Sequence, residues 1–140
     1  MQLHLMIKKD TAMREIKFRA QQINHGKHGF QYGSYATDNK EYHAIIKESK
    51  SDPDEMYNTP INPKTLGQFT GLQDKNGVDI YEGDILFHSM QGVRKVLYPM
   101  REDTACFGIV SADGKKNILC DARNLYKVIG NIHENPELLG

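Results

Sequence analysis

Apolar and polar positions alternate most cleanly in MREIKFRA, Met13 to Ala20, where Ile16, Phe18 and Ala20 share one face and Glu15, Lys17 and Arg19 the other. A period of two predicts a strand with one face buried. The blander reading of its polar face is a solvated edge strand. Phe30-Gln31-Tyr32 and Tyr42 to Ile46 read as short strands joined by the polar turn Thr37-Asp38-Asn39-Lys40. Lys47 to Pro63, polar and carrying Pro53, Pro60 and Pro63, predicts an irregular connection with at most one helical turn near Asp52 to Glu55. Strand-like runs resume at Gly92–Tyr98, Cys106–Val110, Asn117–Cys120 and Tyr126–Ile132. Short strands recurring at a spacing of roughly ten residues predict a mainly β chain, a small antiparallel barrel or sandwich. Asn135-Pro136 predicts a turn, after which Leu138-Leu139 either caps the core or docks on a neighbouring subunit.

The densest stretch is PKTLGQFTGLQDKNGVDIYEGDIL, Pro63 to Leu86. Asp74-Lys75-Asn76-Gly77 is a four-residue turn with glycine where a positive φ is needed. Glu82-Gly83-Asp84 is a second tight reversal before the apolar Ile85-Leu86-Phe87. Turn chemistry of this kind specifies a scaffold, with no nucleophile elbow, metal box or phosphate loop beside it.

Composition narrows the class. A chain of 140 residues, 39% hydrophobic and 26% charged, has room for one core and little more. Its longest apolar runs are far below the ~20 residues that span a bilayer, and MQLHLMIKKD makes a poor signal peptide. Eighteen basic residues balance eighteen acidic ones, whereas a non-specific nucleic-acid binder carries an excess of Lys and Arg. Locally, Lys8, Lys9, Arg14, Lys17, Arg19 and Lys27 crowd the first thirty residues, so a basic face on the first strand is a candidate surface. Cys106 and Cys120 are able to pair, yet reduced, partly buried thiols of a cytosolic chain fit better.

Several constellations invite chemistry. Asp74, Asn76, Asp79, Glu82 and Asp84 suggest calcium, but an EF-hand loop wants ligands at positions one, three and five with glycine sixth. Here Gly77 stands fourth and Val78 fifth, so side chains bonding back to the backbone explain them better. Asp84 is read as a tie for the turn. His25 and His28, with the two cysteines, lack the paired spacing of a zinc site and read as surface histidines and core thiols. Gly67, Gly71, Gly77 and Gly83 never open a helix, so they are turn glycines and not a phosphate cradle. One candidate platform is aromatic and basic together: Phe30, Tyr32, Tyr35, Tyr81, Phe87, Tyr98 and Tyr126 with Arg94, Lys95 and Arg101, against the reading that these rings fill the core.

MREIKFRA, the block PKTLGQFTGLQDKNGVDIYEGDIL and the closing VIGNIHENPELL resemble the YopX family, small proteins of phages and prophages. These blocks cover Met13–Ala20, Pro63–Phe87 and Val128–Leu139, about a third of the chain. Gln21-Gln22 stand where an aromatic commonly follows the first block, and Asn24 to Asn62 has no clear family match. The resemblance implies an N-terminal extension over 1–12, one domain over 13–140, and an SH3-like barrel over about 63–140. It implies Gly71, Asp74, Asn76, Gly77, Glu82, Gly83 and Asp84 as structural turn residues, and no established activity. Together these readings predict a phage- or prophage-encoded, non-catalytic protein in the cytoplasm of the bacterial host, with no cofactor and no membrane. It would bind a protein partner of host or phage, or its own copies, with Arg14, Lys17, Arg19, Tyr81 and Phe87 as candidate contacts. A nucleic-acid-binding accessory protein is the alternative, and a metal-dependent hydrolase a third.

Overall fold

The computed structural model describes residues 15–23, 29–52, 54–122 and 124–140. Six strands make the first sheet: β1 (Phe18–Gln21), β2 (Phe30–Thr37), β3 (His43–Glu48), β4 (Met56–Pro60), β5 (Gly67–Gln73) and β6 (Asp79–Tyr81), in the order β4-β3-β2-β1-β5-β6. Five make the second: β7 (Asp84–His88), β8 (Gly92–Leu97), β9 (Gly108–Val110), β10 (Lys116–Ile118) and β11 (Lys127–Asn131), in the order β10-β9-β8-β7-β11. A single helical turn, α1 (Leu119–Ala122), follows β10, and 3-10 turns lie at Pro63–Thr65 and Pro136–Leu139.

The chain is mainly β, as its alternation predicts. The sheets are not closed into the SH3-like barrel expected of 63–140, because β5 pairs back onto β1 and β6 onto β5, while β7 to β11 form the second sheet. Nor is β1 an edge strand. Phe18 stands opposite Gly33 of β2 and Gln68 of β5, so both sides of the strand are hydrogen-bonded. The expected strand over Met13–Ala20 shortens at its start, with Ile16 64% exposed and Met13 and Arg14 outside the described residues.

Lys47 to Pro63 is not irregular, since β4 lies within it, paired to β3 from Glu48↔Met56 to Ala44↔Pro60. The Ser49 N–H donates to the Glu55 carbonyl at 2.9 Å and closes that hairpin. Being an edge strand with four of five side chains exposed, β4 needs no buried face, and so shows no alternation to read. Beyond it, the Ile23 N–H reaches the Pro60 carbonyl at 3.0 Å and the Asn62 N–H the Gln21 carbonyl at 2.9 Å. The end of β4 is thereby drawn to the end of β1.

This curl encloses Ala20, Ile45 and Ile61, with Phe18, Tyr35 and Leu66 packed against them. A second cluster, Ile80, Leu86, Val96, Ile109, Leu119 and Tyr126, takes residues from both sheets and holds them together. Tyr81 and Tyr126 are buried, so the rings of the expected platform divide between core and surface. Leu139 lines a small cavity with Val93 and Val110, which places the C-terminal tail against the second sheet.

Candidate binding site

Asp74 opens the turn before β6, and its carboxylate is buried. Oδ1 accepts from the backbone N–H of Asn76 at 2.8 Å and Val78 at 2.9 Å, the local bonding expected of an Asp-led turn. Gly77 supplies the positive φ of 80° that the turn requires. Oδ2 does something the sequence does not announce: it accepts from the Val128 N–H at 2.8 Å, on β11 of the other sheet. β11 is an edge strand, so the carboxylate satisfies a backbone donor that lacks a strand partner.

Asp84 makes a second tie. Its Oδ2 accepts from the Tyr81 N–H at 2.7 Å across the Glu82-Gly83 reversal. Its Oδ1 lies 2.7 Å from Nη1 of Arg19, and the two residues are 1% and 6% exposed. The guanidinium lies against two rings, its carbon 4.7 Å from the Phe30 ring centre and 5.0 Å from that of Tyr81. Arg19 Nε is buried without a hydrogen-bond acceptor, so ring faces supply the negative potential in its place. Burial pushes the Asp84 carboxyl above its ordinary range, against the pull of Arg19 and the Tyr81 N–H. Burial also raises Glu82, and pushes the Tyr81 phenol up to about 12.

One strand position pair outward, Lys17 Nζ donates to Asp79 Oδ2 at 2.8 Å. That hydrogen bond raises the lysine and lowers the aspartate. The polar face of β1 is therefore a row of cations met by carboxylates of the turn block. Among the sequence's candidate contacts, Lys17, Arg19 and Tyr81 come together around a cleft of about 610 Å³ with Tyr32 and Asp84. Phe87 lies elsewhere, under Lys127 Nζ at 5.9 Å from its ring centre. Arg14 lies outside the described residues. Of the turn residues, Gly71, Gly77 and Gly83 have positive φ of 83°, 80° and 89°, Asp74 and Asp84 are buried and accept from turn N–H groups, Glu82 is half-buried and Asn76 is exposed.

A second hollow, a groove of about 570 Å³, runs between β5 and the β9–β10 end of the other sheet. Leu72, Tyr98, Phe107, Ile118, Cys106 and Cys120 line it, with Tyr98 45% and Ile118 40% exposed. The rings of Tyr98 and Phe107 lie 4.9 Å apart. Sequence reasoning missed this groove, whose lining residues come from segments with no common motif. Cys120 is exposed and Cys106 half-buried, so the expected pair of core thiols is not found. His25 and His28 lie outside the described residues, among which no three His, Cys, Asp or Glu side chains are grouped to hold a metal. No described helix is long and apolar enough to cross a membrane.

A family model described as YopX protein matches residues 17–140. No curated protein matches the chain. Among solved structures it is similar to protein EF1440 from Enterococcus faecalis, at 27% identity and a TM-score of 0.56, over 91% of this chain and 100% of that one.

Proposed function

The chain belongs to the YopX family, and from that premise we propose that it is a non-catalytic protein-interaction module, encoded by a phage or prophage and acting in the cytoplasm of the bacterial host. The observation that carries this reading is the groove beside β10. β10 ends its sheet, and Ile118 on it stands half-exposed beside Tyr98 and Phe107. A terminal strand next to an apolar trough suits an extended segment of a partner protein, which adds main-chain hydrogen bonds along the edge and drops alternate side chains into the trough.

The charges support the same reading. Lys17 and Arg19 are held by Asp79 and Asp84, and so are not free to release counterions from a phosphate backbone. The turn carboxylates are likewise engaged by backbone N–H groups and cations rather than presented to a substrate.

The test compares wild type with Ile118→Glu as baits in lysogen extracts, with nuclease treatment and a salt series. A discrete protein retained by wild type in high salt and after nuclease, and lost with Ile118→Glu at unchanged melting temperature, is the expected result. Retention of nucleic acid alone, falling steeply with salt, would establish the nucleic-acid reading instead. Capture indifferent to Ile118→Glu would remove the groove from the account.

A further inference from the structure

Resting on the reading of β10 as the docking edge, we infer that the partner segment carries an acidic residue two places from a large apolar one. Arg101 and Lys116 receive the acid, and Ile118 and Leu125 the apolar side chain.

A further hollow, of about 480 Å³, lies along β10 and is lined in part by Met100, Arg101, Lys116, Ile118 and Leu125. The Ser111 N–H donates to the Lys115 carbonyl at 3.0 Å, and the Leu119 N–H to the Phe107 carbonyl at 3.1 Å. Bonded and non-bonded positions alternate in an antiparallel ladder, so between these points Lys116 and Ile118 turn their main-chain groups to the open edge. Two residues apart, they also share a face. Gly108 stands across from Ile118, and Met100 covers it so closely that a Cβ there would meet Met100 Cβ at 2.9 Å. That packing, with the Met100 N–H donating to the Cys106 carbonyl at 2.8 Å, brings Arg101 to the hollow that Lys116 lines.

Charge chooses the occupant. Ion pairs among the described residues engage Lys17 and Arg19, and none includes Arg101 or Lys116. No described Asp or Glu lines this hollow. Arg101 is exposed and Lys116 half-buried, while Leu125 is 52% and Ile118 40% exposed beside them. A segment laid along the edge sets one side chain opposite Lys116 and another opposite Ile118, two places apart on one face. An acid at the first and an apolar residue at the second complement both. A second copy of this chain fits worse, since β10 against β10 would bring Lys115, Lys116 and Arg101 of both copies onto one seam. Lysine on a free edge deters such self-pairing. Deterrence alone calls neither for a second cation from another segment nor for apolar side chains left exposed beside it.

The test selects a random-peptide library on filamentous phage against the native full chain, against Arg101→Glu with Lys116→Glu, and against Ile118→Glu. Sequences enriched on wild type should carry Asp or Glu two places from a large apolar residue. The charge-reversed chain, at an unchanged melting temperature, should enrich Lys or Arg at that place instead. If reversal lowers the melting temperature, Arg101→Gln with Lys116→Gln replaces it and should lose the acidic preference. Enriched peptides, once synthesised, should bind wild type at least about fivefold more tightly than their forms with Asn for Asp or Gln for Glu. Enrichment that depends on Ile118 but shows no acid, or that ignores the charge changes, would overturn the inference and leave the docking edge standing. No enrichment on wild type over Ile118→Glu would remove both. Oligonucleotide binding lost on charge reversal, with no peptide enriched, would assign the two cations to phosphate instead.

Discussion

Arg19→Met tests the central electrostatic argument. Methionine keeps much of the stem between Phe30 and Tyr81 but removes the charge that faces Asp84. The carboxyl, 1% exposed, then has two options: remain ionised and uncompensated, or take up a proton. Protonation sets a ceiling on the loss. From an ordinary value of 3.8 it costs about 1.4 kcal/mol for each pH unit, so about 4 kcal/mol at pH 7 and about 1.6 kcal/mol at pH 5. In the variant Asp84 has a folded pKa far above its unfolded one. Its favourable contribution is present below the unfolded value and lost as pH rises through the folded one, so the gap from wild type narrows on acidification. Asp84→Asn keeps an oxygen for the Tyr81 N–H but leaves the guanidinium without a counter-charge, which costs on the order of 3 kcal/mol. The double variant, with neither charge, should lie within about 1.5 kcal/mol of wild type, giving a coupling energy of several kcal/mol. Urea denaturation at pH 7 and pH 5 measures all four proteins. Single-variant losses below about 1 kcal/mol at pH 7, or losses that simply add in the double variant, would refute the reasoning.

Three further outcomes are expected. Gly77→Val should destabilise by about 1–2 kcal/mol through its φ of 80° alone, since a Cβ there meets nothing within 4 Å, and an unchanged melting temperature would contradict that turn. Asp74→Ala should cost about 2–4 kcal/mol by stranding the N–H groups of Asn76, Val78 and Val128; Asp74→Asn should cost less, and faster hydrogen exchange at Val128 would locate the effect. His133 lies below its ordinary value through burial first and the nearby Arg19 charge second, with Glu134 pulling the other way. Its stabilising contribution is present above the unfolded value of 6.5 and lost as pH falls through the folded one, so His133→Asn should flatten the decline in urea midpoint between pH 7 and pH 5, whereas parallel curves would dismiss that role.

Local backbone chemistry was legible residue by residue. The DKNG and EGD turns appear where Gly77 and Gly83 place them, because a positive φ is a property of one residue and its neighbours. β1 followed from alternation and β7 from the apolar run Ile85-Leu86-Phe87 after its turn, and the tie made by Asp84 to its own turn followed from its position. β4 did not, because an exposed edge strand carries no hydrophobic signature.

What lay beyond the sequence is where faces meet. Alternation shows that Lys17 and Arg19 share a face of β1, but a polar face looks the same in sequence whether it meets water or a neighbouring carboxylate. Only the packing of the second sheet made Arg19 a buried ion and turned Asp74 and Asp84 from turn residues into links between sheets. Local steric preference acts over a few residues and can be read from them. Pairing of charges and strands depends on distances in space, which the folded chain alone supplies.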